Sequence, residues 1–288
     1  MRIRATVAAV SGALALSALA VPAAQADDGR SWSVPHPFSA SQPSKAESGK
    51  AKRSFGATAQ GGSALITHAV LNGGKPAVAG TKTPQTYSLS ITATDDSGIT
   101  DVYAYVWRGK SVDDPDSIGI YQNEDVNDCK AVDANTLTCK MTVTFDPAML
   151  YNSDAGSWKI GAAALANDGE VIENHTAGKT SLQRFSKLTV NASPEPVKKG
   201  QTLTVTGKLT RANWDTATYK GYTNQPVKLQ FKKKGATSYT TVKTVTSSST
   251  GALKTTVKAS VDGYWRYSFA GTSTTPAVSA AGDFVDVK

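Results

Sequence analysis

The side chains best suited to chemistry in this sequence are oxygen donors at turns. Asp95 and Asp96 open an Asp-Asp-Ser-Gly turn, and Asn167 and Asp168 open an Asn-Asp-Gly turn. Hard donors of this kind suit Ca²⁺, which takes about 6–8 oxygens, some from backbone and water. In a two-sheet sandwich the loops after the second and sixth strands lie at the same end. Asp95, Asp96, Asp101 and Asp168, joined by Glu170, therefore form the candidate metal set. The same residues are also ordinary turn formers. Asp125 to Asn135 is acidic but fails the EF-hand template, because Lys130 stands where that loop needs Gly. No cofactor other than calcium is implied.

Ring chemistry is the second possibility. Tyr103, Tyr105 and Trp107 share one parity of a strand, and Val102, Ala104 and Val106 share the other. If the aliphatic parity is core, the rings line up outward as a platform for sugars. The alternative is that the rings point inward or lie under the Gly109–Asp128 segment. A second aromatic group, Trp214, Tyr219 and Tyr222, falls in the polar stretch Arg211 to Gln225. That stretch reads as a long loop at a sandwich end, either contacting a ligand or capping the core. Third are the cations. Lys208, Lys254 and Lys258 face out from one sheet, Lys228, Lys232 and Arg266 from the other, with Lys233 and Lys234 at a turn. Charge on both faces is not a groove; it favours loose attraction to polyanions or simple solubility.

Catalytic signatures are missing from the sequence. There is no GxSxG elbow, HExxH, phosphate loop or GxGxxG, and His36, His68 and His175 lie in unrelated contexts. Paired carboxylates for glycoside hydrolysis are available among the acids of the first half, but nothing singles out a pair. The expectation is a non-enzymatic protein. Nucleic acid is not an expected partner, because no helix is at hand to enter a groove.

Cys129 and Cys139 are the two cysteines of the chain. An even count in an exported chain argues for a disulfide, here across a hairpin turning at Asp133-Ala134-Asn135. Export is read from residues 1–26: Arg2 and Arg4, the apolar run Val7 to Val21, and the Ala24-Gln25-Ala26 cleavage pattern. The mature chain then starts at Asp27, has no transmembrane segment, and is released outside the cell. Residues 27–61, rich in Ser, Ala, Gly, Lys and Pro, read as a disordered linker carrying Trp32, His36 and Phe38. Beyond it the charge divides. Residues 62–186 carry 9 Lys+Arg against 15 Asp+Glu, and residues 187–288 carry 15 against 5. Opposite signs on the two halves suggest two domains.

Period-two alternation supplies the elements. Tyr87 to Ala93 and Leu137 to Phe145 alternate in the first region; Leu203 to Leu209, Val227 to Phe231 and Leu253 to Ala259 do so in the second. Tyr239 to Val245 has broken parity and reads as an edge. One pattern occurs twice: Gly156-Ser157-Trp158-Lys159-Ile160 and Gly263-Tyr264-Trp265-Arg266-Tyr267. Each reads as the central strand of its own sandwich, with Trp158, Trp265, Tyr267 and Phe269 as core anchors and Lys159 and Arg266 facing solvent. The fold class is all-β, two tandem sandwiches, the second of seven short strands at roughly 10-residue spacing.

Ser193-Pro194-x-Pro196-Val197-x-x-Gly200, Val227-Lys228-Leu229-Gln230-Phe231, Ser249-Thr250-Gly251 and Gly263-Tyr264-Trp265-Arg266 together resemble bacterial immunoglobulin-like domains of secreted actinobacterial proteins. The resemblance covers about the last hundred residues. Thr94-Asp95-Asp96-Ser97-Gly98-Ile99 gives the first region a looser likeness. The cysteines depart from the antibody pattern, being too close to bridge two sheets. The resemblance implies immunoglobulin-like sandwiches and an extracellular binding or spacer role, and it carries no catalytic residue across. A cell-wall polymer, a glycan or another extracellular protein is the expected partner.

Overall fold

A computed structural model describes residues 64–288. The leader and the linker, with Trp32, His36 and Phe38, lie outside the described residues. The regular structure from Leu65 on is almost entirely strand. In order these are β1 (Leu65–Leu71), β2 (Ala77–Ala79), β3 (Gln85–Thr94), β4 (Ile99–Arg108), β5 (Ile118–Tyr121), β6 (Asp128–Ala131), β7 (Thr136–Phe145), β8 (Gly156–Ala166) and β9 (Val171–Arg184). There follow β10 (Ser186–Leu188), β11 (Asn191–Ser193), β12 (Thr202–Asn213), β13 (Thr218–Gly221), β14 (Pro226–Lys233), β15 (Thr240–Thr246), β16 (Ala252–Lys258), β17 (Gly263–Phe269), β18 (Val278–Ser279) and β19 (Asp283–Val285). Helical structure among the described residues is limited to single 3-10 turns, one of them at Pro147–Met149, where Asp146 accepts from the Ala148 N–H. No helix among these residues is long and apolar enough to cross a membrane.

The first sandwich faces the sheet β1-β3-β7-β6 against the sheet β2-β9-β8-β4-β5. Alternation decides what lies between them. Leu89, Ile91, Met141, Val143 and Phe145 come from one sheet and Val102, Ala104, Val106, Trp158 and Ile160 from the other. The rings of Phe145 and Trp158 meet edge-on at 5.5 Å, and the Trp158 indole donates to the Asp154 carbonyl. In the second sandwich β12 pairs with β10, β11, β13 and β16, opposite β15-β14-β17 with β18 and β19. Its core gathers Leu203, Val205, Leu229, Leu253, Trp265, Tyr267 and Phe269. β15 is an edge strand, and its pairing with β14 slips at Leu229/Gln230, which is why its parity looks broken in sequence. Both sandwiches are all-β.

One expectation is overturned here. Arg211 to Gln225 is not a loop: β12 runs on to Asn213, the chain turns at Trp214–Ala217, and β13 returns antiparallel to it. The turn is closed by Asn213, whose side chain accepts from the Thr216 N–H and hydroxyl. The polar residues of this hairpin gave no period, because its partner is the other sandwich. Ala212 and Trp214 lie in the first core, not the second. Trp214 is 4 % exposed and donates its indole N–H to the Gly80 carbonyl at 2.7 Å. Next to it, Asp215 accepts from the Asn152 backbone and side-chain N–H groups. Arg184, at the end of β9, is buried and donates Nε–H to the Ala212 carbonyl at 2.6 Å. Burial, with Arg211 nearby, lowers the Arg184 pKa to about 10, so the guanidinium still carries charge at neutral pH. Residues 64–288 accordingly fall in one compact unit, and packing runs across the 186/187 boundary read from the charge shift.

Candidate binding cleft on the first sandwich

The outer face of the β2-β9-β8-β4-β5 sheet holds the most chemistry. β4 turns Val102, Ala104 and Val106 to the core, so Tyr103, Tyr105 and Trp107 point the other way, as the sugar-platform reading requires. The platform itself is corrected: Tyr105 and Trp107 are each only 2 % exposed, and Tyr103 is half-buried. Tyr105 lies over its register partner Gly161, where a Cβ would come within 2.3 Å of the ring. β9 then bulges. Ile160 pairs with Gly178 and Ala162 with Asn174, so His175, Thr176 and Ala177 arch opposite Gly161 alone. The bulge brings His175 Nδ1 within 2.6 Å of the Tyr105 hydroxyl and its carbonyl onto the Trp107 indole N–H, also at 2.6 Å. Bulges re-aim side chains in this way. Burial, then Glu173 and Tyr103, raises the Tyr105 phenol far above its ordinary value.

Beside this covered row lies an open cleft of about 590 Å³ between the end of β4, the β4–β5 loop, β8 and β9. Four cations line it: Arg108, Lys110, Lys159 and Lys179. Lys159 is fixed, its ammonium 3.8 Å above the Trp107 ring and donating to the Gly109 carbonyl at 2.9 Å. Arg108 donates to the Ser157 carbonyl at 2.8 Å. Lys179 is the direct cross-strand partner of Lys159. Like charges placed directly opposite each other on one sheet face are destabilising. The loop holding Lys110 is folded tightly around Ser117, which donates to the Ser111 carbonyl. Gly109 sits at φ 152°, and a Cβ there would be 1.7 Å from the Ser117 oxygen, so only glycine serves. Asp114 and Asp116 also reach the cleft, but Asp114 Oδ1 already accepts from the Asp116 N–H.

The acidic turns do meet, though not through their carboxylates. The Asn167 N–H donates to the Gly98 carbonyl, its side chain donates to the Ser97 carbonyl, and the Asp168 N–H donates to the Ser97 hydroxyl. Asp95 is buried and its Oδ1 accepts from the Ser97 N–H and hydroxyl. Asp168 Oδ1 accepts from the Glu170 N–H, and Asp101 Oδ1 from the Val102 N–H. Asp96 is exposed. Among the described residues the one close group of three potential metal donors is Asp101, Cys129 and Cys139. Its two sulfurs are joined to each other as a disulfide across the β6–β7 hairpin. The carboxylates of Asp95, Asp101 and Asp168 thus each accept from a backbone N–H of their own turn or strand.

The remaining aromatics are structural neighbours of the junction. Trp214 is buried in the first core, and Tyr219 lies under Lys187 at 3.7 Å and edge-on to Phe185. Tyr222 is buried under Arg211 and against Phe269. A ligand cannot stack on Trp214 in this fold. On the second sandwich Lys232 sits by Tyr239 and Tyr264, and Arg266 covers Tyr239 at 3.8 Å. Trp158, Trp265, Tyr267 and Phe269 are all buried. The cleft cations escaped sequence reasoning because the first region is acidic on average. The one available signal was the outward parity of Lys159; its pairing with Lys179 depends on register.

Residues 76–164 match a family model described as a family of unknown function, DUF5707. That span runs from β2 into β8 and includes both cysteines and three of the four cleft cations. No curated protein matches the chain. Among solved structures the chain is similar to a tetra-tandem repeat in the extending region of a large adhesion protein, at 17 % identity and a TM-score of 0.28. The match covers 70 % of this chain and 46 % of that one, so the chain spans about half the length of that relative. It is also similar to the D00-D0 domain of Intimin, at 13 % identity and a TM-score of 0.26, covering 76 % of this chain and 99 % of that one. The amphioxus IgVJ-C2 molecule is similar at 11 % identity and a TM-score of 0.25, covering 73 % and 99 %.

Proposed function

We propose that this chain is a secreted, non-enzymatic binding or structural module that acts at the cell surface or in the medium, against cell-wall polymers, glycans or another extracellular protein. The junction carries this reading. A tryptophan of one sandwich buried in the core of the other makes a stiff two-sandwich body, which suits presenting a surface at a distance. The hairpin disulfide fits an oxidising compartment. Binding to purified cell wall, with and without salt, tests the reading. Retention that falls as salt rises is expected; a chain that stays in the supernatant at every salt concentration contradicts it.

Calcium is the second reading. Its support is the meeting of the Asp95–Gly98 and Asn167–Gly169 turns at one end of the first sandwich. It requires the melting temperature to rise in Ca²⁺ over EGTA, and to stop rising in Asp168→Asn. Equal melting in both solutions removes it.

A further inference from the structure

We infer that the cleft lined by Arg108, Lys110, Lys159 and Lys179 is an oxyanion site, which takes the carboxylate or phosphate groups of an acidic polymer. The inference rests on the binding-module reading and adds the chemistry of the ligand. Two observations carry it. First, none of the cations is ion-paired with a described residue. Among the described residues the ion pairs are Lys234–Asp262 and Lys288–Asp286, so no carboxylate of these residues comes within 4.0 Å of a cleft cation. Asp114 is engaged in its own turn, and Asp116 stands exposed at the rim. Second, the arrangement opposes itself without a ligand. Lys159 and Lys179 face each other across β8 and β9, a placement that stability alone disfavours.

The geometry also selects the kind of ligand. Trp107 and Trp158 line the cleft but are 2 % and 1 % exposed, so neither offers a face to a sugar ring. Recognition must come from charge and hydrogen bonds. An ammonium has three donors; Lys159 gives one to Gly109, which leaves two for a ligand. Arg108 adds a planar fork, of which one nitrogen is bound to Ser157. An oxyanion between these groups would accept from several donors and relieve the repulsion between the lysines.

The test uses the chain from Asp27 to Lys288 at low salt, titrated with inorganic phosphate, with a trimer of galacturonic acid, and with maltotriose as the neutral control. Calorimetry or chemical-shift changes at the Trp107 indole report binding. At least one of the two anions is expected to bind, and which one binds identifies the source of the oxyanion. Lys179→Gln, at an exposed position, is expected to weaken that binding about tenfold. Without anion it should melt slightly higher than the natural chain at low salt, and the difference should vanish at high salt. Binding of neither anion overturns the site, as does maltotriose binding as well as the uronate trimer. Retention on cell wall with no anion binding would overturn the cleft and leave the module reading standing.

Discussion

β8 and β17 carry the same short pattern, a glycine, a spacer, a buried tryptophan and a cation, in the interior of two different sandwiches. Their tryptophans behave alike, Trp158 and Trp265 each filling a core. Their cations do not. Arg266 is taken up by its own sandwich, stacked on Tyr239 and donating to Gln230 at 2.8 Å. Lys159 rests on Trp107 from β4 but faces Lys179 from β9 at the edge of an open cleft. An inward residue is determined by its own strand, because alternation alone puts it in the core. An outward residue is determined by which strands lie beside it, and that follows from topology and register. The pattern thus marks two cores, and the chemistry differs with the neighbours.

The strongest way to break the comparison is to uncouple the sandwiches. Trp214→Ala empties an indole-sized volume from the first core and removes the bond to Gly80. A loss of about 3–5 kcal/mol is expected by denaturant titration. The first sandwich should then unfold before the second; one unchanged transition would mean that the junction contributes little.

A finer test sets two glycines against each other. Both lie under a tyrosine ring, Gly161 under Tyr105 and Gly207 under Tyr267. At Gly161 the nearest atoms all belong to one side chain, that of Tyr105, and none to backbone. At Gly207 a Cβ would also meet the Thr189 carbonyl oxygen at 2.3 Å, and backbone cannot yield as easily. Gly207→Ala should cost roughly 2–3 kcal/mol and Gly161→Ala nearer 1 kcal/mol. The reverse order in chemical denaturation would show that the outer aromatic row is the more rigid one.

The smallest expected effect is alkaline. Burial pushes the Tyr267 phenol up to about 12, with its hydroxyl donating to the Val205 carbonyl at 3.0 Å. In the unfolded chain it ionises near pH 10. Its contribution is full below pH 10 and is lost as pH climbs toward 12. Tyr105 shifts in the same direction, so both sandwiches should weaken over this interval. Tyr267→Phe should flatten the fall in the second sandwich only, read from unfolding curves between pH 9 and 12.

Much of the fold was legible before any coordinates. Leu137 to Phe145 alternates along its length and became β7, and Cys139, on its inward parity, bonds to Cys129 across the hairpin. What stayed hidden depended on partners distant in sequence. Thr218 to Gly221 has no apolar alternation, and it is a strand because β12 runs beside it and Trp214 docks elsewhere. Tyr105 and Trp107 have the outward parity of an open platform, yet the bulge at His175 and the ammonium of Lys159 lie against them. Asp95, Asp96 and Asp168 sit at the expected turns and Asp101 on β4, but the hydrogen bonds that shape those turns occupy Asp95 and Asp168. The cleft lysines were masked by the surplus of acids in the same half of the chain.

The joining of two sandwiches through one hairpin is tested most directly at the Trp214 indole N–H. Its exchange with solvent deuterium can be followed by NMR in the intact chain. Bound to the Gly80 carbonyl inside the first core, it should exchange as slowly as the buried amides of β3 and β7. Loss of its signal within minutes, while those amides remain protected, would contradict the account.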